Sequence, residues 1–348
     1  MFARLALAAA TALIAVASTA LAQPAGEITV MAYAGIFEDK YKAAVIQPFT
    51  QKFPQVKVNY FTSGNSAQML GTLRAQRSSP QIDVAILDAS VSNVGNKEGV
   101  FASLDPAKVP SLKELHALAV MPDGYGPAVT FDHWVLVYDT GKVTPAPTAL
   151  ADLWDPRFKG QIGLSAMPNI QGIAATVLAS KIAGEDFKVT IDGAMKRLKD
   201  LGPSVQTFDP QPDGYTMILS NTLTVASGWN ARAQLYHDDS KGRLGVVFPK
   251  EGSVFQINTI NLVAGSKNPE AATAFIEHAL GRDAQKRFTE SMFYAPVNAK
   301  ADIAPAAIAR TAASPDNMAK MIPLDWAWVT TIRDTWNNRW RREVIAGR

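Results

Sequence analysis

Residues 128–143 read AVTFDHWVLVYDTGKV, and residues 253–265 read SVFQINTINLVAG. Both are extended in character, rich in β-branched residues and apolar at alternate positions. Each is also longer than an ordinary strand, which runs to about 5–6 residues. A strand of that length is explained if it leaves one domain and enters another, with the second stretch leading back. The surroundings agree. Ahead of the first crossing come a strand (EITVMAY, 27–33), a helix (38–53), a strand (VKVNYF, 56–61), a helix (69–76) and a strand (DVAILD, 83–88). Between the crossings the alternation repeats. QIGLS (161–165) precedes helices over 173–184 and 191–203, the latter stopped by Gly202-Pro203, and TLTVASGW (222–229) and RLGVVFP (243–249) supply further strands. Helix 268–280 follows the second crossing, with Asn268 expected as its cap and Pro269 in its first turn. Strands alternating with helices give an α/β fold with helices on the sheet faces. The expectation is two α/β lobes joined by two extended hinge crossings: 27–133 plus 257–299 as lobe 1, 134–256 plus 300–348 as lobe 2.

The 348 residues are 47% hydrophobic and 19% charged, enough apolar mass for two cores in a water-soluble chain. A formal charge of +3 gives no electrostatic case for nucleic acid. At the N-terminus, Arg4 precedes an apolar run over 5–17, and Ala20-Leu21-Ala22 is a small-x-small cleavage site, so residues 1–22 read as a signal peptide. There is no cysteine, hence no disulfide and no lipid-carrying cysteine. The expected location is the periplasm.

In open α/β sheets, ligands sit beyond the carboxyl ends of the strands. Those ends are Tyr33-Ala34-Gly35, Ser63-Gly64-Asn65-Ser66 and Asp88-Ala89-Ser90, all small or polar except for Tyr33. One alone is turn chemistry; three aligned favour a site, with Ser63 or Asn65 capping the next helix. Another strand end reads SGWNARAQ (227–234). Trp229 is expected to offer an apolar face at the lobe boundary, Asn230 to cap the following helix, and Arg232 to look toward the cleft. At the C-terminus, Trp328, Ile332, Trp336 and Trp340 recur every four residues, one apolar face packing on a lobe with arginines on the wet side.

Catalytic signatures are missing. There is no G-x-S-x-G, Walker A, H-E-x-x-H or G-x-G-x-x-G, and the four histidines show no metal-ligand spacing. His237-Asp238-Asp239 reads as solvated charge in a loop. No enzyme activity, cofactor or metal is expected. A secreted hydrolase is the disfavoured alternative, since catalytic triads are spatial and need no motif.

ASGWNARAQ, VVFPKEGSVFQINTINLVAGSKNPEAATAFIEHAL, FYAPVNAKA and, upstream, PTALADLWDPRFKGQIGL (147–164) resemble the periplasmic solute-binding proteins of ABC importers, in the branch of the spermidine/putrescine receptors. The resemblance covers essentially the mature chain. It implies the two-lobed periplasmic binding protein fold (type II-like), closing on a small molecule that is handed to an inner-membrane permease and its ATPase. It implies a monomer, and cleft positions at Tyr33 to Gly35, Ser63 to Ser66, Asp88 to Ser90, Asp132 to Trp134, Trp229, Asn258 and Tyr294. An iron-carrying relative is disfavoured, because this chain offers only Tyr236-His237 where adjacent tyrosines are needed.

The chain departs from the polyamine pattern. Where those relatives place carboxylates, it has Ala166-Met167-Pro168-Asn169 and Asn258, and it adds Arg232. An ammonium closed into a cleft without a counter-charge loses several kcal/mol of hydration, and only Asp88 and Asp132 are evident acids. Arg232 holds a carboxylate or phosphate through two parallel N–H bonds, unless a structural acid claims it first. The expected ligand is a carboxylated or zwitterionic metabolite, with polyamine as the alternative.

Overall fold

The computed structural model describes residues 23–347, so the signal-peptide segment lies outside the described residues. Eleven strands form the framework: β1 (Gly26–Tyr33), β2 (Val56–Ser63), β3 (Val84–Asp88), β4 (Phe101–Ala102), β5 (Ala128–Asp139), β6 (Ile162–Gly163), β7 (Val205–Thr207), β8 (Val225–Trp229), β9 (Leu244–Val247), β10 (Ser253–Val263) and β11 (Met321–Ile322). Their spatial order is β2-β1-β3-β10-β5-β8-β6-β7, with β4 and β11 on β10 and β9 on β5. β1 is parallel to β2 and β3, and β8 is parallel to β6, as crossover helices require. No helix among the described residues is long and apolar enough to cross a membrane.

The two long extended stretches pair with each other. β5 runs antiparallel to β10 up to His133, opposite Phe255. From Trp134 onward it pairs instead with β8 and, from Leu136, with β9. The change of partner falls between adjacent residues, so β5 belongs to two sheets in turn. β10 is buried at every position and β5 at all but Tyr138. The first crossing ends at Asp139, where a turn stabilised by the Asp139 side chain replaces the extended run expected to 143.

Several elements differ from expectation in detail. QIGLS contributes only the two residues of β6, because Leu164 and Ala166 bond instead to Thr207 and Phe208. The helix after β2 begins at Ser66, capped by Asn65 through Gln68 N at 2.9 Å. Asn268 sits at the cap position of helix Pro269–Leu280 but spends its amide on Glu27 O, tying that helix to β1. Asn230 is not a cap. It is the first residue of helix Asn230–Asp239, and the acceptor for that N-terminus is Asp132 of β5, whose carboxylate takes Ala231 N at 3.1 Å.

The C-terminal aromatic stripe packs as expected. Helix Trp326–Arg339 continues into a wider turn, Trp340–Ile345. Trp336 and Trp340 are buried, and Trp340 Nε1 donates to Thr176 Oγ1 of helix Ile170–Ala183 at 2.8 Å. A spacing of four drifts by about 40° per step around an α-helix of 3.6 residues per turn. The widened turn after Trp340 offsets that drift and keeps Val344 buried.

Burial at the crossing has an electrostatic consequence. It pushes the Asp132 carboxyl up to about 8, against the hydrogen bonds from His133 N and Ala231 N and the charge of Arg232. It pushes the neighbouring His133 imidazole down to about 3. The raised acid contributes stability that is complete below its unfolded value near 3.8 and is lost as pH rises through about 8. The depressed imidazole contributes stability that is complete above 6.5 and is lost as pH falls through about 3. Between pH 6.5 and 8, therefore, of these two groups only Asp132 contributes a slope, at most about 1.4 kcal/mol per pH unit. Denaturant midpoints should fall across that window in the wild type and flatten in Asp132→Asn; parallel slopes would show that Asp132 is ionised throughout.

Candidate functional site

β1, β2, β3 and β10 deliver side chains to one place. The Tyr33 hydroxyl, at the end of β1, lies 2.8 Å from Ser66 Oγ and 2.9 Å from Asn258 Oδ1. Ser66 Oγ donates to Asp88 Oδ2 at 2.8 Å, and Gln256 Nε2 donates to Asp88 Oδ1 at 3.2 Å. Asn258 in turn donates to Thr130 Oγ1 of β5. Three strand ends and both crossings are thus stitched into a single polar network. Burial pushes the Asp88 carboxyl above the usual carboxylate range, against the bonds from Ser66 and Gln256 and the positive charge of Arg333. An aromatic floor adjoins it. Phe37 meets Tyr33 and Tyr294 edge-on at 5.4 and 5.9 Å, and Tyr294 stacks on Phe288.

The opposite wall comes from β8 and the helices beside it. Ser227 accepts Ser165 N and donates to Gln171 Oε1 at 2.8 Å. Tyr215 OH bridges the backbone of Trp229, accepting from its N and donating to its O. The neighbouring Gly228 leaves room for this ring, since a Cβ there would come within 2.6 Å of it. Asn169 caps helix Ile170–Ala183 through Gln171 N, and Asp213 caps helix Gly214–Leu219 through Thr216 N at 2.7 Å.

Between the walls lie two abutting chambers, each of about 430 Å³, which share Tyr33, Gly64, Asn65, Asn169, Trp229 and Gln256. The first reaches Ser165, Gln171, the loop 209–214, Tyr215, Ser227, Arg232 and Tyr294. The second reaches Ser66, Asp88, Ser90, Pro168 and Arg333. Volumes of this size suit small organic ligands. Among the described residues the Arg232 side chain makes no hydrogen bond or ion pair, although its charge reaches the buried Asp132.

Most of the residues singled out in the sequence therefore face the chambers: Tyr33, Gly64, Asn65, Ser66, Asp88, Ser90, Trp229, Arg232 and Tyr294. Six do not. Ala34 and Gly35 turn outward and are exposed, and Ser63 is spent on Asn65 O. Asp132 is buried beneath the helix it caps. Trp134 stands opposite Trp229 on the same sheet face and is wholly buried in the core, whereas Trp229 at the strand end reaches the cavity. Asn258 lies one layer behind Tyr33 and orients it.

Sequence reasoning missed Phe37, Ser165, Asn169, Gln171, the loop 209–214, Tyr215, Ser227, Gln256 and Arg333. For Gln256 the signal was present: it is two residues from Asn258 on a strand, hence on the same face. Arg333 gave none, since its helix is placed by contacts remote in sequence.

A family model, "Bacterial extracellular solute-binding protein", matches residues 44–318. Spermidine/putrescine-binding periplasmic protein 1 of Haemophilus influenzae is 26% identical over 305 residues, covering 81% of this chain and 79% of that one. The gamma-aminobutyric acid-binding protein of Pseudomonas aeruginosa is 25% identical over 295 residues, covering 82% and 80%. A crystal structure of an ABC transporter protein from Clostridium perfringens superposes with a TM-score of 0.72 at 27% identity, covering 91% of this chain and 99% of that one. The chain belongs to the bacterial extracellular solute-binding proteins, the substrate-binding components of ABC transporters, and has their two-lobed fold.

Proposed function

We propose that the cavity captures a zwitterionic metabolite, with its carboxylate on Arg232 and its ammonium toward Asp88, in the periplasm of a Gram-negative cell. A monomer then hands it to an inner-membrane permease and its ATPase. The division into lobes 27–133 plus 257–299 and 134–256 plus 300–348 is part of the reading, supported by the change of partner in β5. The family is one of transport rather than turnover.

The observation that carries the ligand class is Arg232, half-buried in the chamber wall without a protein partner among the described residues. A guanidinium closed into a cleft is favoured only when an anion meets it, and a carboxylate does so through two parallel charge-assisted bonds. The Pseudomonas relative named for an amino acid agrees with this assignment. A polyamine is the second reading, since Asp209 and Asp213 also line the first chamber. Both already accept hydrogen bonds, from Gln211 Nε2 and Thr216 N.

Calorimetry separates the two. Removing two hydrogen bonds to a charged group, each worth about 1.5–3 kcal/mol, should make Arg232→Ala bind γ-aminobutyrate at least ~100-fold more weakly. Tight spermidine binding indifferent to that substitution would end the zwitterion reading. Asp88→Asn provides the complementary measurement: it should weaken amine-bearing ligands ~10-fold or more and leave plain monocarboxylic acids within ~3-fold. Equal losses for both kinds of ligand would mean that Asp88 only holds Ser66 and Gln256 in place.

A further inference from the structure

The second chamber contains a cation that capture of a simple zwitterion does not use. Arg333 projects from helix Trp326–Arg339, which packs against helix Ala89–Lys97 on the far side of the cleft. Its Nη2 donates to Pro168 O at 2.9 Å, and this is the hydrogen bond it makes among the described residues. A guanidinium carries five N–H groups, so most of its donors remain for something else. The same chamber is lined by Asp88 and Ser90, while Gln256, which bonds Asp88, belongs to both chambers. Asp88 stands at the N-cap of helix Ala89–Lys97 but does not cap it, since its oxygens are taken by Ser66 and Gln256. The first-turn N–H groups beside Ser90 are therefore left without a side-chain acceptor, next to Arg333.

We infer that the site takes an amino dicarboxylate, an amine flanked by two carboxylates, with Arg333 in the second chamber as the second anion anchor. The inference rests on the zwitterion reading of the first chamber. Apart from Asp209 and Asp213 of the first chamber, each of which already accepts a hydrogen bond, the side chains supply one negative charge, Asp88, and two positive ones, Arg232 and Arg333. A ligand of negative, positive and negative charge complements that set. A bare diamine brings an ammonium beside two guanidiniums, which costs Coulomb energy in a closing cleft. An amino monocarboxylate satisfies Arg232 and Asp88 but leaves the free donors of Arg333 facing the chamber as water leaves it. Specificity here comes as much from the classes rejected as from the class accepted.

The test is calorimetry on the mature chain with γ-aminobutyrate and N-(carboxymethyl)-γ-aminobutyrate, which differ by one carboxymethyl group. The dicarboxylate should bind wild type at least ~10-fold more tightly, and Arg333→Gln should remove that increment, bringing the affinities of the two compounds within ~3-fold of each other. Arg333→Lys, which keeps the charge, should retain part of it. Equal affinity of wild type for the two compounds, or a uniform loss in Arg333→Gln, overturns the inference. If Arg232→Ala abolishes binding of both compounds while Arg333→Gln changes neither, the inference falls and the zwitterion reading stands. If neither compound binds wild type, both fall.

Discussion

The pairing of β5 with β10 is the constraint on which the molecule depends. Backbone N–H and C=O groups in a buried strand must find partners, and nearly all of these two strands is buried. β5 meets that demand by bonding to β10 through His133 and to β8 and β9 from Trp134 on. Two sheets are thereby continuous through β5, while β10 runs past the same point to pair with β11. The change of partner between His133 and Trp134 is where one sheet gives way to the other along β5.

The same junction places the site. β10 carries Gln256 and Asn258 on one face, so the strand that joins the halves also supplies a ligand-facing amide and the residue that aims Tyr33. On the other side, Asp132 leaves β5 to hold the N-terminus of helix Asn230–Asp239, and two residues into that helix stands Arg232. A shift in the crossing is therefore felt directly at both walls. The buried acid serves as a support for the arginine's helix rather than as a ligand contact.

What the sequence revealed followed from short-range regularities. The alternation of β5 and β10 over a dozen residues identified both crossings, and strand ends marked by small polar residues located Tyr33, Asn65, Ser66 and Asp88. It failed where depth decides. Trp134 and Trp229 share a face and a register, and only their distance from the strand end separates core from cavity. Asp132 and Asn258 have the composition of ligand contacts but lie one layer too deep. The loop 209–214 and Arg333 reach the cavity through chain segments brought together only by the packing of lobe and C-terminal helix. No local pattern encodes that approach.

Electrostatics then decides between ligands of similar size. Counting acids alone favours a cation, for Asp88, Asp209 and Asp213 outnumber Arg232 and Arg333 along the chambers. Counting what each acid already holds tips the balance the other way. Asp88 accepts from Ser66 and Gln256, Asp209 from Gln211, and Asp213 caps a helix. Arg232 holds nothing among the described residues, and Arg333 a single carbonyl. Desolvation on closure falls hardest on the groups with fewest partners, and among the described residues of the chambers Arg232 has no hydrogen-bond or ion-pair partner. On the proposed reading, the cleft is completed by an anionic group at Arg232, and an amine enters favourably when it brings a carboxylate with it.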